Sequence, residues 1–312
     1  MLLYIAGPMR GYPDWNYPAF FAAEEVLRSL GHATLNPARN DADTLPEAIA
    51  AAGSQDSPTK PWAHYMAKDL PQVMAADGLC VLPGWQRSQG ARLETHVAKA
   101  LGIPLYCLVR EGGQHRLVPR LRLIGVSGYA RAGKDTIGHL LAGHGYRRVA
   151  FADVLREALA RLNPKLHEDW GEPVDARVRR PRTVRVADAV AAHGVEGTKT
   201  HTLFGAEYVA LLQRLGTEVG RQMLGEDVWV NAALDPLPDG GRYVVTDCRF
   251  PNEAAAVKAA GGQMWRVERP GVGPRNDHPS ETALDDWAFD CVLPNEGTVQ
   301  DLAGKVAGVV PM

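Results

Sequence analysis

Short apolar runs alternate with longer amphipathic stretches along the first third of the chain, which is the pattern of strands and helices in turn. The runs typical of buried parallel strands are LLYIA (2–6), HATLN (32–36), GLCVL (78–82) and PLYCLV (104–109). Helices are expected between them, over residues 18–30, 45–52, 62–75 and 91–101. This alternation predicts a parallel, doubly wound sheet whose ligands lie at the carboxyl ends of its strands.

A polar, glycine-containing stretch after residue 110 interrupts the pattern, and we expect it to act as a linker over 113–120. It divides the chain into domains 1–112 and 121–312. In the second domain the strand runs are LRLIGVS (121–127), RRVAFA (147–152), RYVVTD (242–247), QMWRVE (263–268) and FDCVLPN (289–295), with a long helix over 206–224. The predicted fold class is therefore α/β, with two doubly wound parallel-sheet domains in tandem. Residues 169–202 are rich in arginine and glycine and indicate an inserted or mobile segment.

The amino-acid composition disfavours several classes of protein but does not indicate one function. The 312 residues carry a formal net charge of −2, and 46% are hydrophobic, so a disordered chain and a dedicated duplex-DNA binder are disfavoured. The four cysteines are widely spaced without a CxxC pair, which favours buried free thiols. No apolar run reaches the ~18 residues of a membrane span, and the amino terminus lacks a basic leader. We therefore expect a soluble cytoplasmic protein that binds no nucleic acid and no membrane.

The strongest local motif is GYARAGKDT, from Gly128 to Thr136, between the apolar run LRLIGVS and the helical run IGHLLAG. A strand, a glycine-rich turn and a helix start are the context of a phosphate-binding loop. In such a loop the backbone N–H groups and the helix dipole face the phosphates, and the lysine, here Lys134, contacts them as a point charge. The expected ATP-binding residues are Gly128, Arg131, Gly133, Lys134, Asp135 and Thr136.

The metal ligands are less clearly defined by this motif. Asp135 stands where such loops normally have Ser or Thr, so either Asp135 or Thr136 is expected to serve Mg²⁺. Asp247 ends the buried run RYVVTD and suits the same ion, and Arg249 follows it, aimed at phosphates. The competing interpretation is that Asp247 caps the helix beginning near Pro251.

Five segments together, SGYARAGKDT, FADVLREAL, LLQRLGTEVGRQMLGEDVWV, VVTDCRFPNEAAAVKAAGG and DHPSET, resemble bacteriophage deoxynucleoside monophosphate kinases. The resemblance covers nearly all of 120–312 and implies a P-loop nucleoside monophosphate kinase fold that transfers the γ-phosphoryl group of ATP to a dNMP. It implies that Asp153 and Arg156 face the acceptor and that Gln213 or Arg214 contacts its base or phosphate. An arginine cluster that includes Arg180 forms either a lid on the phosphates or a solvated face. His278, Ser280 and Glu281 match a landmark of the family, without an assigned role.

The first domain has two candidate ligand turns. One is Gly7 to Gly11, which follows the first strand and contains Arg10; the other runs from Ser88 through Gly90 to Glu94, after the run GLCVL. Ser88 and the N–H groups near Gly90 suit a phosphate at a helix start. Taken singly these residues have ordinary explanations, since Ser is a common N-cap and Glu a common surface residue of helices.

Together with Asp69 and Asp77, these turns resemble the nucleoside 2-deoxyribosyltransferase superfamily and its branch of nucleoside 5′-monophosphate N-glycosidases, over about residues 2–110. The resemblance implies that Glu94 attacks the anomeric carbon, that Asp69 assists the sugar or the departing base, and that Ser88 holds the 5′-phosphate. Gly7, Arg10, Asp77 and Gly90 would line the nucleotide site. The superfamily commonly completes its sites across a dimer, so we expect a homodimer.

Three hypotheses follow for the whole chain. The first is a bifunctional enzyme in which a dNMP kinase is joined to a glycosidase or transferase acting on nucleoside monophosphates. The second is a dNMP kinase with a nucleotide-sensing first domain that has no catalytic activity. The third is a P-loop kinase for another small phosphate acceptor. The expected small molecules are ATP with Mg²⁺ and a dNMP.

Overall fold

The computed structural model describes residues 1–42, 61–167, 183–274 and 279–311, and its two main sheets follow one another along the chain. The first sheet has strands β1 (Leu2–Ala6), β2 (Ala33–Leu35), β3 (Gly78–Val81), β4 (Leu105–Glu111) and β5 (Gln114–Pro119), in the order β2-β1-β3-β4-β5. The first four strands are parallel, and β5 is antiparallel to β4.

Helices cover both faces of this first sheet. They are α1 (Tyr17–Ser29), α2 (Pro37–Ala42), α3 (Trp62–Ala75) and α4 (Gln89–Ala100). Leu3 and Ile5 of β1 pack with Phe20 of α1, whereas Tyr4 points to the opposite face, where Ala91 of α4 lies. This alternation follows from the two-residue period of a strand, because successive side chains point to opposite faces.

The second sheet is entirely parallel. Its strands are β6 (Arg122–Ser127), β7 (Arg147–Val149), β10 (Arg242–Val245), β11 (Gln263–Glu268) and β12 (Cys291–Pro294), in the order β12-β11-β6-β10-β7. A separate antiparallel pair is formed by β8 (Lys165–His167) and β9 (Thr183–Arg185).

Helices also lie on both faces of the second sheet. They are α5 (Lys134–Ala142), α6 (Phe151–Leu162), α7 (Val186–Lys199), α8 (Gly205–Gln213), α9 (Val228–Leu234), α10 (Pro251–Ala259), α11 (Pro279–Thr282) and α12 (Val299–Val309). Ile137 of α5 and Leu302 of α12 pack on one face, and Val230 of α9 and Val257 of α10 on the other. The α/β fold class with parallel sheets is confirmed.

Four expectations about elements need correction or restriction. The expected linker 113–120 is mostly β5, because six residues on each strand pair it with β4. The expected long helix over 206–224 is α8 followed by a π-helical segment, Arg214–Leu224. The run RRVAFA ends as a strand at Val149, since α6 already begins at Phe151. The helix expected at 45–52 lies outside the described residues.

No helix among the described residues is long and apolar enough to cross a membrane. The four cysteines are free thiols; Cys80, Cys107 and Cys248 are buried and Cys291 is partly buried.

Candidate nucleotide sites

The glycine-rich loop joins β6 to α5 at the carboxyl end of the central strand of the second sheet. Gly128 has a φ of +141°, and a Cβ there would lie 2.4 Å from the carbonyl oxygen of Val267. Gly133 has a φ of +119°, and a Cβ there would lie 2.6 Å from the amide nitrogen of Asn295. Both positions therefore require glycine, because the backbone conformation and the close neighbours leave no place for a side chain.

Lys134, the first residue of α5, folds back over this loop. Its Nζ donates hydrogen bonds to the carbonyl oxygens of Gly128 at 2.6 Å and of Tyr129 at 2.9 Å. Burial, and then the charge of Arg249, lower the pKa of Lys134. The Lys134 ammonium thus donates to two carbonyl oxygens of the loop, and the oxygens of a phosphate can take their place as acceptors.

A cleft of about 280 Å³ opens beside the loop. Five of the six predicted ATP-binding residues line it; the sixth, Gly128, does not. The cleft residues are Arg131, Gly133, Lys134, Asp135 and Thr136, joined by Arg269, Asn295, Gly297, Val299 and Leu302. Asn295 also donates to the carbonyl oxygen of Ala132 at 2.8 Å, so it ties the loop to the end of β12. The sequence analysis missed Arg269, Asn295 and Gly297, although Arg269 and Gly297 follow predicted strands and Asn295 ends one.

Asp247 has a structural role that the sequence analysis did not anticipate. Its two carboxylate oxygens accept hydrogen bonds from the backbone N–H groups of Phe151, at 3.0 Å, and Ala152, at 2.9 Å. It therefore caps α6, and not the helix that begins at Pro251 as the alternative interpretation supposed. Burial raises the pKa of Asp247, and the two N–H donors oppose that shift.

Two of the carboxylates expected at a metal, Asp135 and Asp247, lie close enough to Lys134 for their charges to act on it. Asp135 is exposed on the first turn of α5, Thr136 is half-buried beside it, and the charges of Asp135 and Asp247 both raise the pKa of Lys134. The buried hydroxyl of Thr246, next to Asp247, has no hydrogen-bond partner. Carboxylate and hydroxyl oxygens are the ligands that Mg²⁺ prefers, so these residues fit the ion. No group of three or more His, Cys, Asp or Glu among the described residues could hold a metal by itself.

Arg249 lies beside the loop and contacts a residue whose role the sequence left open. Its Nη1 lies 3.4 Å from the Oε1 atom of Glu281, whose charge also raises the pKa of Lys134. The backbone N–H of Arg249 donates to Glu253 at 2.7 Å, and Glu253 pairs with Arg221 at 2.7 Å. These contacts hold Arg249 close enough to Lys134 for its charge to lower the pKa of that lysine, and its role toward phosphates stays a prediction.

The first turn of the loop is anchored by a buried arginine. The Tyr129 hydroxyl donates to Asp285 at 2.9 Å, and Arg266 donates to the other carboxylate oxygen of Asp285 at 2.8 Å. The Arg266 guanidinium also lies 5.2 Å from the centre of the Tyr129 ring and 5.5 Å from the centre of the Phe289 ring. Ser280 lies in the same region of the protein.

The residues expected at the acceptor are spread over the surface near α6. Asp153 pairs with Arg156 at 2.7 Å and with Arg148 at 3.2 Å, so its charge is compensated within the chain. Gln213 is exposed at the end of α8, and Arg214 lies 3.9 Å from Glu218. Arg180 and His278 lie outside the described residues. None of the hydrogen bonds or ion pairs of the described residues joins Gln213 to the phosphate loop, so its role stays a prediction.

In the first domain Glu94 is buried on α4. The Tyr4 hydroxyl of β1 donates to its Oε1 atom at 2.9 Å. Burial raises the pKa of Glu94 to about 8; the hydrogen bond from Tyr4 opposes this shift, and the charge of Asp69 adds to it. Asp69 of α3 is therefore near Glu94, and its role toward the sugar or the base stays a prediction. Tyr4 was missed, although its position on a buried strand next to the Gly7 turn was visible in the sequence.

Ser88 lies at the start of α4, directly before its first residue, Gln89. It is the N-cap residue, and its side chain accepts from the Ala91 N–H at 3.3 Å. Gly90 lies close to α3, since a Cβ there would be 3.4 Å from the Met66 methyl group. Gly7 packs against Leu82, and Arg10 is exposed in the turn after β1. The turns after β1 and β3 meet at one edge of the sheet, as the parallel pairing of these strands requires.

Asp77 is the exception, and its predicted place in the nucleotide site is wrong. It precedes Gly78, the first residue of β3, and its Oδ2 accepts from the Leu2 N–H at 2.7 Å. Leu2 begins β1, so both residues lie at the amino ends of parallel strands. Glu94 and Ser88 belong to the opposite edge.

Comparisons with known proteins separate the two halves. Residues 1–107 match the family model "Domain of unknown function (DUF4406)", whose description names no activity. Residues 208–306 match the model "Deoxynucleotide monophosphate kinase". The carboxyl-terminal half is thus related to that family.

Individual relatives agree with this assignment of the second half. The chain is 25% identical to a deoxynucleotide monophosphate kinase homologue of Acanthamoeba polyphaga mimivirus, over 60% of this chain and 95% of that protein. It is 25% identical to the deoxynucleoside-5′-monophosphate kinase of Escherichia phage T5, over 52% of this chain and 84% of that protein. It is 32% identical to the deoxynucleotide monophosphate kinase of Enterobacteria phage T4, over 31% of this chain and 42% of that protein. Among solved structures, a dephospho-CoA kinase of Campylobacter jejuni is 12% identical, with a TM-score of 0.28, over 61% of this chain and 96% of that chain.

Proposed function

We propose that the carboxyl-terminal half transfers the γ-phosphoryl group of ATP to a deoxynucleoside 5′-monophosphate. The observation that supports this most directly is the glycine-rich loop with Lys134 folded into it and Arg249 beside it. The relatives named deoxynucleotide monophosphate kinases favour a dNMP over another phosphate acceptor.

Phosphoryl transfer needs positioning and charge compensation more than covalent chemistry from the protein. In this proposal Lys134 leaves the carbonyl oxygens of Gly128 and Tyr129 and binds the transferring phosphate. Arg249 leaves Glu281 and neutralises charge on the same group. Asn295 and Arg269 border the part of the cleft that remains for the nucleoside of ATP.

Mg²⁺ would be held by Thr136 or Asp135 together with Asp247. When bound, such an ion neutralises charge on the β- and γ-phosphates and orients them. The capping bonds of Asp247 use one lone pair of each oxygen, so a lone pair on each remains for the ion or its water.

Lys134→Ala tests the kinase proposal. Removal of a charge that contacts the transferring group should reduce ADP formation with a dNMP by at least about 10³-fold, the scale of cationic contacts in phosphoryl transfer. A coupled ADP assay over a panel of natural and 5-substituted dNMPs measures this. Arg87→Ala is a matched control, because that cation follows β3 in the other domain. Near-normal ADP formation by Lys134→Ala would refute the assignment of the loop, and activity only on other phosphate acceptors would favour the third hypothesis.

For the amino-terminal half we propose cleavage of the N-glycosidic bond of a nucleoside 5′-monophosphate. The specific observation is a buried carboxylate, Glu94, that accepts a hydrogen bond from the Tyr4 hydroxyl. Glu94 belongs to the same helix that Ser88 caps. The helix start can hold a 5′-phosphate, and Glu94 follows it by one and a half turns, within reach of the attached sugar.

The proposed chemistry uses Glu94 as a nucleophile in its ionised form. A carboxylate oxygen forms a bond to C1′ of the sugar, and the bond from C1′ to the base breaks with its electron pair going to the base. Asp69 orients the sugar or gives the departing base a proton. Water then breaks the glycosyl ester; an acceptor base in its place would make the reaction a transfer.

Glu94→Gln and Ser88→Ala test this second proposal. Glu94→Gln keeps the shape but removes the negative charge that meets the developing oxocarbenium ion, so base release should fall by about 10²-fold or more. Ser88→Ala should weaken the binding of nucleotides and leave the binding of nucleosides unchanged. Chromatography of free base from NMPs and dNMPs without ATP measures both effects. Base release undiminished in Glu94→Gln would transfer the chemistry to another residue, and no release by the unmodified protein would favour nucleotide sensing.

A further inference from the structure

The two domains meet at a buried arginine. Arg120 stands between β5 and β6 and is 4% exposed. Its Nε donates to the Oδ1 atom of Asp239 at 2.8 Å, and its Nη2 donates to the carbonyl oxygens of Asp235 and Leu237 at 2.9 and 3.2 Å. Asp235, Leu237 and Asp239 belong to the segment between α9 and β10, so the contact fastens the end of the first sheet to the second domain.

The other oxygen of the same carboxylate binds a tryptophan of the first domain. Trp85, which is 3% exposed, donates from Nε1 to the Oδ2 atom of Asp239 at 3.1 Å. The Arg120 guanidinium lies 5.0 Å from the centre of the Trp85 ring. Asp239 thus has both oxygens occupied, one by a cation and one by an indole N–H, in a place largely closed to water.

Trp85 belongs to the segment that carries the proposed 5′-phosphate site. It begins the 3₁₀ turn Trp85–Arg87, and the Ser88 N–H donates to the Trp85 carbonyl oxygen at 3.0 Å. Ser88 in turn caps α4, the helix of Glu94. A shift of Trp85 therefore shifts the backbone and the hydroxyl of Ser88.

We propose that Asp239 of the kinase domain is a positioning residue for the nucleotide site of the first domain, acting through Trp85 on Ser88. This inference rests on the proposed function of that site. Asp239 precedes the amino end of β10, whereas Asp247 and Arg249 follow its carboxyl end. The kinase site is therefore remote from Asp239 and should be insensitive to it.

The experiment uses Asp239→Asn and Trp85→Phe in the full chain. An amide at 239 cannot accept from both Arg120 and Trp85, and phenylalanine at 85 removes only the indole donor and keeps the Arg120–Asp239 ion pair. Because the 5′-phosphate is remote from the reacting bond, KM for a nucleoside monophosphate in base release should rise about fivefold, the effect of one weakened hydrogen bond. The kcat should stay within about twofold, since uniform binding is what is lost. Kinase kinetics should not change.

Asp235→Asn is the matched control at the same junction. The Asp235 side chain pairs with Lys99 at 2.5 Å, and the two side chains are partly exposed, at 46% and 39%. Among the hydrogen bonds of the described residues, none joins either side chain to Trp85. Exposed ion pairs contribute little, so this variant should keep the unmodified KM.

Hydrogen exchange of the peptide over residues 85–92 provides a second readout that does not need catalysis. Exchange there should be faster in Asp239→Asn and Trp85→Phe than in the unmodified protein and in Asp235→Asn, with the peptide over residues 128–136 unchanged. Unaltered KM and exchange in both variants, or an equal loss of kinase activity, would overturn the inference. If the unmodified protein releases no base, the proposed function fails, and the exchange data alone decide whether Asp239 holds this segment.

Discussion

Glu94 and Lys134 are the ionisable side chains at the centres of the two candidate sites, and burial favours the neutral form of both. Burial raises the pKa of Glu94 and lowers that of Lys134. Ionisable groups with such shifts are typical of functional sites when they lie in a cleft, as Lys134 does. Their partners differ, however. Tyr4 gives Glu94 a single donor, whereas Lys134 rests on two carbonyl oxygens.

The pKa of Glu94 predicts the pH dependence of base release. With a pKa of about 8, about a tenth of Glu94 is ionised at pH 7 and most of it at pH 9, so kcat/KM should rise about tenfold over that range. Tyr4→Phe removes a hydrogen bond that lowers this pKa, so its profile should move to higher pH. Base release measured from pH 5 to 10 tests both statements, with thermal unfolding at each pH as the control. A profile centred near pH 4.5 would contradict them.

Helix α6 shows how one carboxylate can serve two purposes. Asp247 connects the carboxyl end of β10 to the amino end of α6 through two N–H donors, and the same carboxylate faces Lys134 across the site. Acids at helix starts are favoured by the unpaired N–H groups and by the helix dipole. The cap therefore holds in place a side chain that would otherwise be free to rotate.

Substitution of Asp247 separates the cap from the proposed metal role. Asp247→Ala removes both acceptors and should lower the free energy of unfolding by about 1–2 kcal/mol. The Tm should fall by a few degrees as a result. Asp247→Asn keeps one acceptor and should recover part of that stability, yet kinase activity should stay low at all Mg²⁺ concentrations. Thermal unfolding and a Mg²⁺ titration of ADP formation measure the two effects. Full kinase activity in Asp247→Asn would contradict the metal role of Asp247, and its only remaining role would be to cap α6.

The two main sheets of the described residues are separated along the chain by only two residues, Arg120 and Leu121, both of which are buried. Buried connections of this kind restrict the relative movement of domains, unlike exposed polar linkers. An apolar cavity of about 310 Å³ lies along the same junction, lined by residues of both domains such as Ile103 and Val230. The two sites are thus parts of one structure, although each lies at the edge of its own sheet.

Removal of divalent metal should distinguish the two activities. The oxygen donors around Lys134 fit Mg²⁺, whereas the proposed glycosidase chemistry uses only Glu94 and its neighbours. EDTA should therefore abolish ADP formation, and Mg²⁺ or Mn²⁺ should restore it, while base release continues in the same sample. Loss of both activities on chelation would contradict the assignment of separate sites.

The sequence alone determined the features that depend on neighbouring residues. Three such features are the strand–turn–helix order around Gly128–Thr136, the helix start at Ser88 and the parallel α/β pattern. They can be predicted locally, because strand and helix periods and glycine turns each depend on a short segment of sequence. The expected linker was wrong because a polar composition does not exclude an edge strand, which needs only one partner, here β4.

Only the tertiary structure decided which distant residues meet. Tyr4 and Glu94 are 90 positions apart, Phe151 and Asp247 are 96 apart, and Trp85 and Asp239 are 154 apart. The same structure removed Asp77 from the nucleotide site, because the residue before a parallel strand lies at the opposite edge from the residues after it. Spacing along a chain carries no information on such pairs, since they form only when strand order and helix packing bring the segments together.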